Sequence, residues 1–144
     1  MPEGISKIVF TIFLVYSAFQ DGRSKTISVW LLFAAGTAGI LFIIISGQGI
    51  GDRPLSCLIG LLMVGISRLS DGAIGEGDGW FFTVSGLFLN LLINLKLLVY
   101  GVFLSGFVCM GIYIFFRLKG NDVKKVTIPF LPFLLPAWIG LVML

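Results

Sequence analysis

The sequence predicts an all-α, polytopic membrane protein of about six transmembrane helices, forming one transmembrane domain over residues 1–144. Three observations carry that prediction. Hydrophobic residues make up 58% of the chain and charged ones only 12%, with a mean hydropathy of +1.08; a soluble domain of this size lacks the interior to hide so much apolar surface. The runs 29–45 and 97–116 contain no charged residue and approach the roughly 20 residues that a helix needs to cross a hydrocarbon core. Nineteen glycines occur, many inside apolar runs, where small residues let membrane helices pack closely.

Hydropathy places the spans at 5–20, 28–46, 54–70, 79–93, 97–117 and 128–144. The first apolar run follows Lys7, as in a signal peptide, but ends in Gln20-Asp21-Gly22-Arg23 and not in a small-residue cleavage site, so it is read as a span. The stretch 80–116 is apolar nearly throughout; as one helix it would be roughly 55 Å long, against a bilayer core of about 30 Å. It must turn back, and Asn90, Asn94 and Lys96 mark the expected place. Seven of the ten Lys and Arg residues (Arg23, Lys25, Arg68, Arg117, Lys119, Lys124 and Lys125) fall in the first, third and fifth connections. The positive-inside rule then puts those connections in the cytoplasm.

Composition also limits the chemistry. Histidine is absent, which removes Ser-His-Asp triads, Cys-His pairs and His-ligated zinc. Cys57 and Cys109 lie in apolar runs, where thiols serve as small packing residues. The net charge of +3 is read as an orientation signal, with no nucleic-acid partner inferred. The lipid bilayer is the expected surroundings, and no metal or cofactor is expected.

Catalysis, if any, falls to carboxylates. All seven (Glu3, Asp21, Asp52, Asp71, Glu76, Asp78 and Asp122) lie at span ends or in connections, a distribution that counts against an ion-coupled transporter with a midplane charge. Two carboxylates held close cannot both ionise cheaply, so the pair shares a proton and can act as base and acid on water and a peptide bond. Solvated loop acids are the ordinary alternative. The setting of Asp78 is distinctive, because Gly75-Glu76-Gly77-Asp78 directly precedes an apolar run. Glycines there permit positive φ and close backbone approach at a helix start.

That motif resembles the Gly-x-Gly-Asp signature of aspartic membrane proteases, which include prepilin peptidases and presenilins. Asp21-Gly22-Arg23-Ser24-Lys25-Thr26-Ile27 resembles the prepilin peptidase segment with an aspartate at an early helix end and isoleucine six residues on. Ile128-Pro129-Phe130-Leu131-Pro132-Phe133 is similar to that family's Ile-Pro-Phe-Gly-Pro-Phe segment. Departures are Ser28 for the common proline, Leu131 for glycine, and Gly79-Trp80 for Val-Lys, which removes a cation beside Asp78.

The resemblance implies a short, peptidase-only enzyme of the type serving tight-adherence (Flp) pili, in the inner membrane of a prokaryote. Asp21 and Asp78 would be its catalytic pair. Gly75, Gly77 and Ile27 would support the motif, and Glu76, Pro129 and Pro132 would contact a prepilin-like protein substrate. Asp71, seven residues before Asp78, lacks the glycine setting. The rival readings are a presenilin-like intramembrane protease, and a non-enzymatic membrane subunit or small transporter.

Overall fold

The computed structural model describes residues 2–47, 49–72, 74–122 and 127–143. Among them the chain is all-helical: α1 (Pro2–Ser24), α2 (Val29–Ser46), α3 (Arg53–Leu69), α4 (Glu76–Phe88), α5 (Leu91–Leu118) and α6 (Leu134–Met143), with a 3-10 turn at Leu131–Phe133 before α6. Of the basic residues used for orientation, Lys124 and Lys125 lie outside the described residues.

Local chemistry sets the helix ends. Gly47 takes the left-handed conformation (φ 58°) at the C-cap of α2, which terminates the helix at no Cβ cost. Pro54 occupies the first turn of α3, where a missing N–H is harmless. The carboxylate of Asp52 accepts from the Leu91 N–H at 3.0 Å, so this acid secures the start of α5. The side chain of Asn90 caps the same helix by accepting from Ile93 N–H at 2.9 Å.

Two expectations about helix bounds are corrected. The chain turns at Leu89–Asn90, and α5 begins at Leu91, so Asn94 and Lys96 lie within a helix. Asn94 is fully buried: its amide donates to Ser56 Oγ (3.0 Å), Ser56 O (3.2 Å) and Phe82 O (3.3 Å), and its carbonyl accepts from Ser85 Oγ at 2.7 Å. Polar atoms satisfied in this way are compatible with an interior. The last helix is shorter than the run 128–144, because Pro129 and Pro132 cannot donate to a helical ladder and the chain forms only a 3-10 turn before Leu134.

Two helices, α2 and α5, are long and apolar enough to cross a membrane; α3, α4 and α6, at 17, 13 and 10 residues, fall short of the roughly 20 that a span needs. Much of the outward surface is apolar, with Trp30, Ile45, Leu69 and Leu118 each more than 80% exposed.

The core is aromatic. Phe13 stacks on Phe81 with centroids 5.0 Å apart, and Phe10 meets Trp138 edge-on at 4.8 Å, binding α1, α4 and α6 together. The closest helix pair is α3 with α4. A methyl group at Gly79 would lie 2.8 Å from the Val64 backbone nitrogen, one at Gly86 2.7 Å from the Ser56 carbonyl carbon, and one at Gly60 would overlap the Thr83 backbone. Gly39 and Gly101 similarly receive Leu87 and Leu134, whereas Gly36, Gly65, Gly106 and Gly111 have open space where a Cβ would stand. Only some of the glycines therefore serve packing.

Candidate active site

On α1, Phe10, Leu14, Ser17, Ala18 and Asp21 are buried at the three- and four-residue steps of one helix face. Asp21 continues that stripe into the last turn, so a carboxylate stands where the pattern otherwise calls for an apolar or small residue. It is 6% exposed, at the helix end whose dipole is unfavourable to anions. A compensating donor comes from far along the chain: the Leu131 N–H reaches Asp21 Oδ2 at 2.9 Å. Pro132 packs near Gly22, with 3.6 Å from its Cγ to the position of a Gly22 Cβ.

Asp78 stands in the first turn of α4, before the apolar run that begins at Trp80. Gly75 is the N-cap, with φ −60° and ψ 122°, so its backbone does not use the positive-φ freedom expected of it. Its glycine requirement comes from the Asp78 side chain, which curls back over it. A Cβ on Gly75 would lie 2.7 Å from Asp78 Oδ2. At Gly77 a Cβ would meet only the Ile27 side chain, 3.6 Å from Cδ1 and 3.8 Å from Cγ1, which is ordinary contact.

Asp21 and Asp78 face one cavity of about 760 Å³. Its walls come from the α1–α2 connection (Lys25, Ile27), the start of α4 (Gly75 to Asp78, and Trp80) and the segment before the 3-10 turn (Ile128, Pro129). The cavity thus collects the first, third and fifth connections at one end of the bundle. Burial, and then the negative charge of Asp21, push Asp78 up from its ordinary 3.8 to about 7. Pro129 lines the cavity, whereas Pro132 does not.

Glu76 also lines the cavity, but its charge is engaged. Its Oε1 accepts from Arg68 Nη2 at 2.7 Å and Nε at 3.1 Å, and from Trp80 Nε1 at 3.5 Å; these partners hold it below the usual carboxylate range, the Arg68 hydrogen bond first. Asp71 has positive φ (52°) in the turn after α3 and does not line the cavity. A cation is present despite Trp80 standing where relatives of the resembled family carry lysine: Lys25 lines the cavity, with Nζ donating to Thr127 Oγ1 at 2.5 Å.

A model of the type IV leader peptidase family matches residues 8–115, three quarters of the chain. The chain belongs to the type IV leader peptidase family. The match takes in Asp21, Ile27 and Gly75 to Asp78, and ends before Ile128. No curated protein and no solved structure matches the chain. As a family peptidase it acts as a hydrolase, and the arrangement on the page offers that chemistry two carboxylates, a nearby cation and a cleft. Sequence reasoning missed three groups at or beside the site: the Leu131 N–H, Lys25 and Arg68. The first had a signal, because prolines at 129 and 132 break the helical ladder and free an intervening N–H for another acceptor.

Proposed function

We propose that this family member is an aspartic endopeptidase, a single helical membrane domain that removes the basic leader of type IV pilin-like precursors at the cytoplasmic face. Asp21 and Asp78 are its catalytic residues, and the observation that carries the reading is their convergence on one cavity from opposite helix ends. With Asp78 at about 7, this carboxyl keeps its proton below neutral pH and can serve as the acid.

In the proposed cycle Asp21 acts as the base and Asp78 as the acid. A water between them attacks the scissile carbonyl carbon while Asp21 takes its proton, and Asp78 donates to the carbonyl oxygen as it gains charge. Collapse of the tetrahedral adduct breaks the C–N bond; the proton on Asp21 passes to the leaving amine, and the hydroxyl proton returns to Asp78. The Leu131 N–H keeps Asp21 oriented throughout. Pro129, at the cavity wall, is placed to meet an extended substrate backbone.

The test is cleavage of a leader-bearing precursor by purified protein, followed by mass measurement of the products. Asp21→Asn and Asp78→Asn should each abolish cleavage, while Asp52→Asn, Asp71→Asn and Asp122→Asn retain it. Substantial turnover by folded Asp78→Asn protein refutes the assignment.

A further inference from the structure

Asp21 is not the only polar group on the buried face of α1 near the site. Ser17 stands one turn earlier on that face and is fully buried. Among the described residues, its Oγ is the one buried side-chain oxygen or nitrogen without a hydrogen-bond partner. Other buried serines are bonded: Ser6 donates to Phe88 O at 2.7 Å, Ser67 to Ile74 O at 2.6 Å, and Ser85 to Asn94 Oδ1 at 2.7 Å. Nor does Ser17 use the outlet that a helix gives a hydroxyl. On the same helix Thr11 donates to Lys7 O and Ser24 to Gln20 O, each four residues back; Ser17 makes no such bond to Phe13 O.

A buried hydroxyl without a partner is costly, and native interiors supply one from protein or ordered water. Helix geometry points to Asp21 as the group at the other end. Cα–Cβ bonds in a helix tilt toward its N-terminus, so the Asp21 side chain starts back toward the turn that carries Ser17. Cβ atoms four residues apart lie about 5–6 Å from each other, a gap that one water spans with two hydrogen bonds of about 2.8 Å. Asp21 has capacity to spare, since a carboxylate offers about four acceptor sites and the Leu131 N–H takes one, on Oδ2. Ser17 does not line the cavity, so a water held there is distinct from the one that attacks the substrate.

We propose that Ser17 is a positioning residue for the catalytic base: through one buried water, its hydroxyl gives the Asp21 carboxylate a second donor from the side away from the cavity. The proposal rests on the reading of Asp21 as the base. With Leu131 as its only donor, the carboxylate can still turn about its Cβ–Cγ bond. A second donor from another direction stops that rotation and keeps the remaining acceptor sites toward Asp78 and the attacking water.

The test opposes two buried serines of α1. Ser17→Ala removes a hydroxyl that has no protein partner, so its Tm should equal or exceed that of wild type. Its kcat for a leader-bearing precursor should nevertheless fall about tenfold, as for the loss of one hydrogen bond, with KM within twofold. Ser6→Ala breaks the bond to Phe88 O and should do the reverse, lowering Tm with kcat within twofold. Infrared spectra of protein carrying isotope-labelled aspartate give a readout independent of turnover: Ser17→Ala should shift a carboxylate band, and should shift none in an Asp21→Asn background. Wild-type kcat in folded Ser17→Ala protein, or an unmoved band, overturns the proposal. If wild-type protein cleaves no precursor, the peptidase reading falls, and the band alone decides the contact between Ser17 and Asp21.

Discussion

The backbone N–H of Leu131 donates to Asp21 Oδ2 at 2.9 Å, joining residues 110 positions apart. Because the donor belongs to the main chain, the side chain at 131 can change without removing it. Leu131 itself is fully buried, so Leu131→Ala should cost about 2–5 kcal/mol of stability through the cavity it leaves. Turnover measured well below the lowered Tm should stay within a few-fold of wild type. Loss of turnover in folded Leu131→Ala protein would show that the side chain, and not the N–H alone, positions Asp21.

Gly75 and Gly77 should differ sharply. A methyl at Gly75 lies 2.7 Å from Asp78 Oδ2, so Gly75→Ala should displace the carboxylate and lower kcat tenfold or more with little change in Tm. Gly77→Ala adds only an ordinary contact with Ile27 and should lower kcat less than threefold. Steady-state kinetics on the two variants decide the point, and equal losses would remove the special place given to Gly75.

Asp78 links activity and stability to pH in the same direction. Its folded value, about 7, stands above its ordinary 3.8, so its protonated form is favoured by folding; that contribution is fully present below pH 4 and disappears as pH rises through 7. Activity that needs protonated Asp78 should likewise fall above pH 7 in a kcat/KM profile. Asp78→Asn cannot ionise and should gain stability relative to wild type at pH 8, on the order of 4 kcal/mol, with the gain shrinking toward pH 4. A difference in Tm independent of pH would contradict this account.

Arg68 and Glu76 should act on substrate binding with opposite signs. Both are substantially exposed, so their ion pair contributes only about 0–1 kcal/mol to folding. Arg68→Gln releases the Glu76 charge beside the cavity and should lower KM for a basic leader, while Glu76→Gln should raise it a few-fold. Screening over about 8 Å at physiological salt should erase both effects at high ionic strength. Collapse of kcat in Glu76→Gln would instead give Glu76 a direct part in the chemistry.

The elements most legible in the sequence were those whose determinants are local. Gly75 to Asp78 before an apolar run, and Asp21 at the end of another, mark helix ends with carboxylates, and those carboxylates do face one cavity. Asn94 was misread because an amide in an apolar run looks like a turn until its partners are known; they lie 9, 12 and 38 positions away. The ion pair of Glu76 is not legible in the sequence, since nothing in its neighbourhood announces Arg68 eight residues earlier on another helix. Gly75 was expected to supply an unusual φ, whereas it supplies room for a carboxylate, a need that is visible only when Asp78 is in place.

The contacts at Gly60, Gly79 and Gly86 bring the backbones of α3 and α4 together, with backbone atoms of the facing helix where a Cβ would stand at each of the three. Side chains can change rotamer to absorb motion; two touching backbones cannot. These helices therefore behave as a single beam, with Asp78 fixed to one end of it. The opposite wall of the cleft is built differently, since α1 meets α4 through the side chains of Phe13 and Phe81 and is tied to the 3-10 turn by the hydrogen bond between Leu131 and Asp21. If the cleft widens at that wall, Asp21 keeps its donor, because the segment that carries the Leu131 N–H is bonded to it.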